Sequence, residues 1–456
     1  MELPWAPGGA GLWCDLYELT MAAAYLEHGV TGEAVFSLYV RDLPPDRGYL
    51  VAAGVDDAVD AIVDLGFTAD DRAALHELGF APDAVDRLAG LRFTGDVWAV
   101  PEGRIVTAGE PILEVTAPIA EAQLAETLAL NQITYQTTIA TKLARCRVAA
   151  QGRIEVVDFA FRRAHGVEAA LAVARLSGLV GLAGTSNVPA ALHHGLRAVG
   201  TMAHSYIEAF PSEVEAFRTY ARSFPDRSTF LVDTYDTPAG VDHAIEVVKE
   251  LGLRQGVAVR IDSGDLAALA RDARARLDAA GLPEVRILVS GGLDEHALAA
   301  LVAEGAPIDA VGVGTTVGVA ADAPAIESVY KLVRYEGRPV RKRSPGKATV
   351  PGAKQVWRSP GADEDVVTER DEPPPVEGAQ ALLAPVVVGG RRVAPRPSLD
   401  EGRRWLEADL AALPPAALAL RDPTPLAARF SPTLQALVAE ADATHGPEPT
   451  GVAPAG

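Results

Sequence analysis

Residues 285–313, VRILVSGGLDEHALAALVAEGAPIDAVGV, contain a complete strand–helix–strand repeat. Two largely apolar runs, 285–290 and 308–313, flank a helical run at 295–304. A strand without polar alternation is typical of a parallel sheet covered by helices on both faces, because neither face of such a sheet meets water. The stretch therefore predicts an α/β fold built on a parallel sheet.

The same repeat extends back to about residue 154. The predicted strands are 154–158, 180–183, 196–201, 229–233, 257–262, 285–290 and 308–313. The predicted helices between them are 167–176, 211–224, 238–251, 266–280 and 295–304. Seven strands come close to closing a barrel, so we predict an irregular (β/α) barrel rather than an open doubly wound sheet.

The segments on either side of the repeat have a different pattern. Before it, the sequence predicts a helix at 15–28, a strand at 34–40, short helices over 56–90, a small antiparallel roll over 92–115 and a helical stretch over 119–150. After it, the sequence predicts an acidic, proline-rich linker or mobile loop at 359–380, a strand pair at 382–388 and 391–393, and a helix at 399–413. We therefore predict an N-terminal α/β sandwich domain (1–118), the barrel (119–335), a C-terminal basic loop, linker and small module (336–443) and a disordered tail (444–456).

Composition limits the classes of function. The chain has 456 residues and a net charge of -20, which argues against nucleic acid or an anionic membrane as a partner. Cys14 and Cys146 lack the spacing of a metal site and indicate free thiols in a reducing compartment. The first residues lack the basic region and apolar core of a signal peptide, and no stretch has the ~18 apolar residues of a membrane span. We predict a cytoplasmic protein.

Polar residues gather where the predicted strands end, which is where parallel barrels carry their active sites. The residues at these ends are Asp158, Thr185, Ser186, Thr201, His204, Ser205, Asp233, Arg260, Asp262, Ser263, Asp265 and Ser290. His204 lies in the stretch GTMAHS (200–205), and a neutral imidazole can act as nucleophile, proton carrier or ligand. The alternative for His204 is a hydrogen-bonded structural histidine.

Two of the strand ends are rich in glycine. Gly291-Gly292 precedes a helix, and Gly314-Thr315 ends the next strand. Glycine lets backbone N–H groups approach a phosphate, and barrels commonly hold phosphate after their last two strands. The alternative is that tight turns simply need glycine. A P-loop ATPase is not supported, because Gly346-Lys347 is followed by Ala348. No Gly-x-Gly-x-x-Gly follows a strand, which argues against a dinucleotide oxidoreductase.

Charged residues at the strand ends suit an anionic ligand. Asp262 can bind ribose hydroxyls or lie beside a magnesium-bound pyrophosphate, and Arg260 offers a planar fork to a carboxylate. Asp265 has the alternative of capping the helix that follows it. Arg162-Arg163 is a second candidate for anion binding, with a surface salt-bridge pair as the alternative.

Positive charge is concentrated late in the chain. Four of the six lysines fall within 331–354, and nine cations lie in this basic segment: Lys331, Arg334, Arg338, Arg341, Lys342, Arg343, Lys347, Lys354 and Arg358. An acidic chain with such a segment has either an anionic ligand or a solvated basic loop there. If the ligand is an anion, we expect Lys347 and Lys354 to contact it.

Motifs along nearly the whole chain resemble the nicotinate phosphoribosyltransferase family. They are 13–21 (WCDLYELTM), 47–50 (RGYL), 159–163 (FAFRR), 184–188 (GTSNV), 200–205 (GTMAHS), 262–265 (DSGD), 312–315 (GVGT) and the basic segment. Cys14 replaces the usual Thr, and Ala160 the usual Gly. The resemblance implies the type II phosphoribosyltransferase fold and a homodimer whose active site draws on both subunits.

The resemblance also implies a reaction. Nicotinate and phosphoribosyl pyrophosphate would give nicotinate mononucleotide and pyrophosphate in NAD salvage, with Mg²⁺ as cofactor and ATP hydrolysed through a phosphohistidine. By motif match, His204 would carry the phosphate and Asp262 would be catalytic. The residues around nicotinate would be Tyr17, Thr201, Arg260, Ser186 and Phe159. Those binding phosphoribosyl pyrophosphate would be Arg162, Ser263, Asp265, Gly291, Gly292, Gly314 and Thr315. Lys347 and Lys354 would contact ATP or pyrophosphate. The ligands of the metal are not assigned.

Three alternatives remain open. A nicotinamide or quinolinate phosphoribosyltransferase would share this fold, but nicotinamide-specific relatives look to carry Asp where Ser186 stands, and an Asp would repel a carboxylate substrate. A non-catalytic nucleotide-binding descendant is disfavoured because His204, Asp262 and Arg260 are all present. An unrelated barrel lyase or isomerase acting on a sugar phosphate would not need the basic segment.

Overall fold

The structure is a computed structural model that describes residues 10–344, 346–359, 361 and 364–444. Its helices are α1 Leu16–Glu27, α2 Val55–Val63, α3 Ala69–Glu77, α4 Pro82–Ala89, α5 Ile119–Leu124, α6 Glu126–Ala150, α7 Val167–Val180, α8 Val188–His194, α9 His204–Glu208, α10 Glu213–Ser223, α11 Thr237–Leu251, α12 Leu266–Ala279, α13 Glu295–Ala303, α14 Thr315–Gly318, α15 Leu399–Ala412 and α16 Pro432–Thr444. Its strands are β1 Glu33–Val40, β2 Leu50–Val51, β3 Asp96–Ala99, β4 Ile105–Val106, β5 Pro111–Pro118, β6 Glu155–Asp158, β7 Gly184–Thr185, β8 Thr229–Leu231, β9 Ala258–Ile261, β10 Arg286–Ser290, β11 Ala310–Val313, β12 Ser328–Tyr335, β13 Arg338–Pro339, β14 Lys354–Arg358, β15 Glu364–Glu369, β16 Gln380–Ala381, β17 Ala384–Val388, β18 Arg391–Arg392 and β19 Ala427–Phe430.

The described chain forms two compact units. We call residues 138–324 the central unit, and the residues before and after them the discontinuous unit. Among the described residues, every helix is too short or too polar to cross a membrane.

The central unit is built on a parallel sheet with the strand order β7-β6-β11-β10-β9-β8. A parallel bridge between Thr185 and Ala198 extends it beyond β7. The α/β prediction with a parallel sheet is confirmed. All four residues of β11 are buried, as expected for a strand that helices cover on both faces.

Two of the predicted strands differ from the structure. Residues 180–183 are not a strand, because α7 continues to Val180 and ends at Gly181, whose φ of 81° is left-handed. Residues 196–201 contribute only the bridge at Ala198. Short apolar runs have no periodicity that separates a helix end from a strand, and this ambiguity produced both errors.

Side-chain caps fix where the helices of the central unit begin. Asn187, Asp236, Asp265 and Asp294 each accept a backbone N–H from the first turn of α8, α11, α12 and α13, respectively. Each of these helices follows a strand of the parallel sheet or the short segment after it. The helix N-termini are therefore at the carboxyl edge of the sheet, where the predicted site residues are also found.

The discontinuous unit draws on both ends of the chain. Its largest sheet has the order β13-β12-β1-β5-β3-β17-β18, in which every pair is antiparallel. A four-stranded sheet, β16-β14-β15-β19, comes from the C-terminal part, and β2 pairs with β4. The predicted parts 1–118 and 336–443 thus share one sheet and one compact unit.

The C-terminal part differs from its prediction at 359–380. Residues 359–380 are not simply a linker or mobile loop, because β15 lies within them and pairs with both β14 and β19. Residues 365–368 of this strand are buried. The sequence did not predict the strand, because its short apolar part lies among acidic and proline residues. The predicted disordered tail, 444–456, lies outside the described residues except for Thr444, the last residue of α16.

Candidate active site

Arg260, on β9, organises the carboxyl edge of the parallel sheet. Its Nε donates to Ser290 Oγ at 2.9 Å, and its Nη1 donates to Thr201 Oγ1 at 2.8 Å and to the Met202 carbonyl at 3.3 Å. Its Nη2 forms an ion pair with Asp262 Oδ1 at 2.8 Å. These four bonds leave one of the five guanidinium N–H groups for a ligand.

Asp262 lies between two groups of hydrogen-bonding neighbours. Burial alone would raise its pKa, but the hydrogen bonds from Arg260 and Ser290 and the charges of Arg260 and His204 hold that pKa below its ordinary value. On the other side, the Asp262 backbone N–H donates to Asp233 Oδ2 at 3.0 Å, and Ser263 Oγ donates to the same oxygen at 2.6 Å. Asp262 is therefore an ionised carboxylate at neutral pH.

The second oxygen of Asp233, Oδ1, is buried and has no hydrogen-bond partner among the described residues. A buried carboxylate oxygen without a donor is costly, unless a cation or a hydroxyl group satisfies it. Asp233 and Asp262 thus give the site two carboxylates, beside Ser263, whose hydroxyl donates to Asp233 Oδ2. Such a pair of carboxylates suits a cation that takes its remaining ligands from water and phosphate.

His204 is the first residue of α9. Its Nδ1 lies 3.2 Å from Thr234 Oγ1. The hydroxyl group of Thr234 can donate or accept, and it orients the imidazole through this ring nitrogen. Thr234 is a site residue that the sequence analysis missed. The signal was available, because Thr234 directly follows Asp233 at a predicted strand end.

A cavity of about 540 Å³ brings together seven of the predicted site residues. Its lining includes Phe159, Arg162, Ser186, Thr201, His204, Arg260 and Asp262, with Phe161, Gly200, Met202, Ala203 and Leu231 filling the gaps. The Arg260 guanidinium carbon is 5.8 Å from the centroid of the Phe159 ring. The cavity therefore combines an aromatic face, a cation, a carboxylate and an imidazole.

Asp158, at the end of β6, holds the backbone next to Ser186. Asp158 Oδ2 accepts from Thr185 Oγ1 at 2.6 Å, and Oδ1 accepts from the Ala160 N–H at 2.8 Å. Burial raises the pKa of Asp158, although these two bonds oppose the rise. Asp158 thus holds β7 and the chain after β6, which carry Ser186 and Phe159, in place.

The glycine-rich ends follow two adjacent strands, β10 and β11. Gly291 has a φ of 106°, and a Cβ there would lie 2.1 Å from the Asp262 carbonyl oxygen. A Cβ on Gly312 would lie 2.4 Å from the Phe159 ring. Both glycines are needed because neighbouring site residues pack against their backbone. Gly292, Gly314 and Thr315 lie beside them in the chain.

Asp265 and Tyr17 are not among the residues that line this cavity. Asp265 Oδ1 accepts the Ala268 N–H at 3.0 Å, so the structure gives its carboxylate the capping role that the sequence left open. Tyr17 belongs to α1 of the discontinuous unit and is 45% exposed. Burial and the charge of nearby Glu126 raise its pKa, so Tyr17 carries a neutral hydroxyl at neutral pH.

The predicted contact of Lys354 with ATP or pyrophosphate is not supported by the structure. Lys354 is buried, and its Nζ donates to the Gly352 carbonyl at 2.8 Å and to Ser37 Oγ at 3.2 Å. Glu114 Oε1 lies 3.7 Å away. Burial lowers the pKa of Lys354 to about 8 against the effect of Glu114. Lys354 is an internal ion-pair partner within the discontinuous unit.

Most other cations of the basic segment are also paired within the discontinuous unit. Arg358 bonds Asp365 and Asp409, Arg334 bonds Glu369, and Arg341 and Arg343 lie 3.6 and 3.3 Å from Asp442. Carboxylates of the same unit therefore offset most of the charge that the sequence analysis assigned to an anionic ligand. Lys342 and Lys347 are exposed.

The central unit thus belongs to the class of α/β proteins that have a cavity at the carboxyl edge of a parallel sheet. Models of the nicotinate phosphoribosyltransferase (NAPRTase) N-terminal domain and of the NAPRTase family match residues 12–134 and 154–351. The chain belongs to the nicotinate phosphoribosyltransferase family.

Individual relatives are similar over most of the chain. A nicotinate phosphoribosyltransferase of Mycobacterium tuberculosis is 49% identical over 417 residues, which cover 90% of this chain and 89% of the relative. One from Bacillus subtilis is 41% identical over 368 residues, covering 78% and 75%. The crystal structure of human nicotinic acid phosphoribosyltransferase superposes with a TM-score of 0.81 at 28% identity, covering 94% and 99% of the two chains.

Proposed function

We propose that this protein transfers the phosphoribosyl group of phosphoribosyl pyrophosphate to nicotinate, giving nicotinate mononucleotide and pyrophosphate. Membership of the family supports the proposal. The observation that carries it is the cavity in which Arg260 lies beside the Phe159 ring, because nicotinate is a flat aromatic anion.

Nicotinate has a suitable environment in this cavity. The Phe159 ring offers an aromatic face, and the free N–H of Arg260 offers a charge-assisted bond to the carboxylate. Ser186, on the same lining, is neutral and adds no negative charge that would repel the substrate. These three residues select a carboxylate over an amide.

The glycine-rich ends and the two carboxylates fit the other substrate. Gly291, Gly292, Gly314 and Thr315 present backbone N–H groups to the 5-phosphate, and Asp262 accepts from the ribose hydroxyls. The transition state has oxocarbenium character, so these residues act mainly by positioning the substrate and stabilising charge. Mg²⁺ bound by Asp233 Oδ1 and Asp262 would neutralise the charge that develops on the departing pyrophosphate.

His204 gives the site a group that ATP can phosphorylate. We assign the phosphohistidine to His204 because its imidazole lines the cavity and is fixed through Nδ1 by Thr234. A phosphoryl group there adds negative charge next to the substrate cavity, and this charge can raise the affinity for the magnesium-bound substrate. ATP hydrolysis would then be coupled to synthesis without a P-loop.

Three further parts of the proposal follow from the family resemblance and the composition. The protein acts as a homodimer, resides in the cytoplasm and supplies nicotinate mononucleotide to NAD salvage. Its partners are small molecules, namely nicotinate, phosphoribosyl pyrophosphate and ATP.

One assay tests the proposal. Mononucleotide formation from nicotinate or nicotinamide is measured with phosphoribosyl pyrophosphate and Mg²⁺, with and without ATP. We expect turnover of nicotinate that ATP stimulates, and little turnover of nicotinamide. Ser186→Asp should reduce nicotinate turnover strongly, whereas the control Ser186→Ala should retain it. Preferential use of nicotinamide by the wild type would contradict the proposal.

A further inference from the structure

A buried ionic cluster lies within the central unit, away from the cavity lining. Lys142 Nζ contacts Glu295 Oε2 at 2.6 Å and Asp322 Oδ1 at 2.7 Å. Arg145 Nε contacts the other Glu295 oxygen at 2.9 Å. The side chains of Lys142, Arg145 and Glu295 are 3% exposed or less, and that of Asp322 is 37% exposed. We call these four residues the Lys142 cluster.

The Lys142 cluster joins the two glycine-rich ends. Glu295 is the first residue of α13, which directly follows the loop containing Gly291 and Gly292. Asp322 follows α14, which begins at Thr315. Lys142, on α6, therefore forms ion pairs with the segments that follow both glycine-rich ends. A second link, from Thr316 Oγ1 to the Leu293 carbonyl at 2.9 Å, connects the same two segments.

The charges of the Lys142 cluster also matter to an anionic ligand. Burial would raise the pKa of Glu295, but hydrogen bonds from Lys142 and Arg145 and the charge of Lys142 hold it below its ordinary value. An ionised carboxylate thus begins the helix that follows Gly291 and Gly292. Its two cationic partners cancel a charge that would otherwise repel phosphate.

We propose that Lys142 is a positioning residue for the phosphoribosyl pyrophosphate site, holding the β10–α13 loop and α14 in the relative placement that binds phosphate. The proposal rests on the proposed function. Lys142 is too buried to touch a substrate, so it acts only through Glu295 and Asp322. Its loss should affect one substrate selectively, which a purely structural role would not do.

The test uses three variants of the full-length protein. Lys142→Met removes the cation at nearly constant length, and Asp322→Asn weakens one of its two bonds at a partly exposed position. Lys354→Met is the matched control, because Lys354 is another buried lysine that pairs with a glutamate but lies in the discontinuous unit. The measurements are KM for each substrate, kcat, and the rise in Tm that phosphoribosyl pyrophosphate with Mg²⁺ produces.

We expect Lys142→Met to raise KM for phosphoribosyl pyrophosphate at least about tenfold, because small misplacements of binding groups have large effects. KM for nicotinate should stay near the wild-type value, and the ligand-induced rise in Tm should shrink. Asp322→Asn should show the same selectivity with a smaller amplitude. Lys354→Met should lower Tm in the absence of ligand without shifting the ratio of the two KM values.

Equal changes in both KM values for Lys142→Met, or a selective change in the control, would overturn the proposal. If Lys142→Met does not fold, Asp322→Asn decides, and wild-type constants in that variant would overturn it. Failure of the proposed function is distinct, since the wild type would then form no mononucleotide. In that case, the rise in Tm that phosphoribosyl pyrophosphate with Mg²⁺ produces would still show how well each variant binds this substrate.

Discussion

At the scale of single residues, Arg260 does more than supply a positive charge. Its four bonds tie together Thr201, Ser290 and Asp262, which come from three different segments of the central unit. A lysine could keep the charge but could not form this planar set of bonds. The shape of the cavity therefore depends on the fork of the guanidinium as well as on its charge.

The phosphohistidine assignment gives a direct prediction. His204→Ala should remove ATP hydrolysis and leave at most a slow, ATP-independent transfer, because no phosphoryl acceptor remains. Incubation with γ-labelled ATP should give an acid-labile, base-stable label on the wild type only. Thr234→Val, which removes the hydroxyl group beside Nδ1, should label more slowly. A label that persists on His204→Ala would disprove the assignment.

Glu18, the neighbour of Tyr17 on α1, predicts a pH dependence of stability. Burial raises its pKa from 4.5 to about 7, and the hydrogen bond from Thr127 only partly opposes this. Between these two pH values the folded state binds more protons than the unfolded state, so the free energy of unfolding should fall as pH rises. Glu18→Gln should flatten this fall, and urea unfolding from pH 5 to 8 measures it. The exposed Glu27→Gln, on the same helix, is the control, and an equal flattening there would refute the prediction.

The residues of the site were predictable to an unequal degree. Arg260 lies on β9 and Asp262 directly follows it, and the apolar pattern located this strand. Ser186 and His204 were placed after predicted strands, 180–183 and 196–201, that the structure does not form, yet both residues line the same cavity. Lys354 was mispredicted because its partner, Glu114, is 240 positions earlier in the chain. Local sequence shows a cluster of cations but not the distant carboxylates that neutralise them.

At the scale of elements, the loop after β10 depends on Gly291. Gly291→Ala would place a Cβ against the Asp262 carbonyl at a positive φ, and this should displace the loop and raise KM for phosphoribosyl pyrophosphate. Gly305→Ala is the control, because Gly305 has a φ of 61° with no atom within 4 Å of its Cβ. Steady-state kinetics compares the two. An unchanged KM for phosphoribosyl pyrophosphate in Gly291→Ala, or an equal rise in Gly305→Ala, would contradict the prediction.

Elements with a long or continuous pattern were predicted well, and short ones were not. The runs at 257–262, 285–290 and 308–313 contain β9, β10 and β11, and no end differs by more than two residues. In contrast, β7 has only two residues, Gly184 and Thr185, which is too short for a strand pattern, and glycine is depleted in strands. Its pairing with β6 comes from the fold rather than from local preference.

At the scale of the whole molecule, the proposed homodimer predicts complementation between variants. Tyr17 and His204 lie in different units, and the family resemblance implies an active site to which both subunits contribute. If the two residues serve one site from different subunits, mixing inactive Tyr17→Ala and His204→Ala chains should restore up to about a quarter of the activity. Activity is measured after the mixed chains are dissociated and reassociated. Absence of any recovery, with mixed dimers demonstrated, would contradict a shared site.

The discontinuous unit could not be predicted from the order of segments along the sequence. Both predicted boundaries separated strands that pair, since β1 pairs with β12 and β3 pairs with β17. Antiparallel pairing depends on side-chain packing across the sheet, and nothing local in β3 specifies a partner near the C-terminus.

The pairing of β3 with β17 has a consequence for how the chain is made. The Gly389 N–H donates to the Asp96 carboxylate at 2.8 Å, across 293 positions of sequence. A ribosome that adds about 5–20 residues per second needs about 15–60 seconds between these two residues. Throughout that interval the nascent β3 has an open edge, which is a template for wrong pairing. The contiguous central unit can fold within the same interval, so synthesis completes the middle of this protein before its beginning.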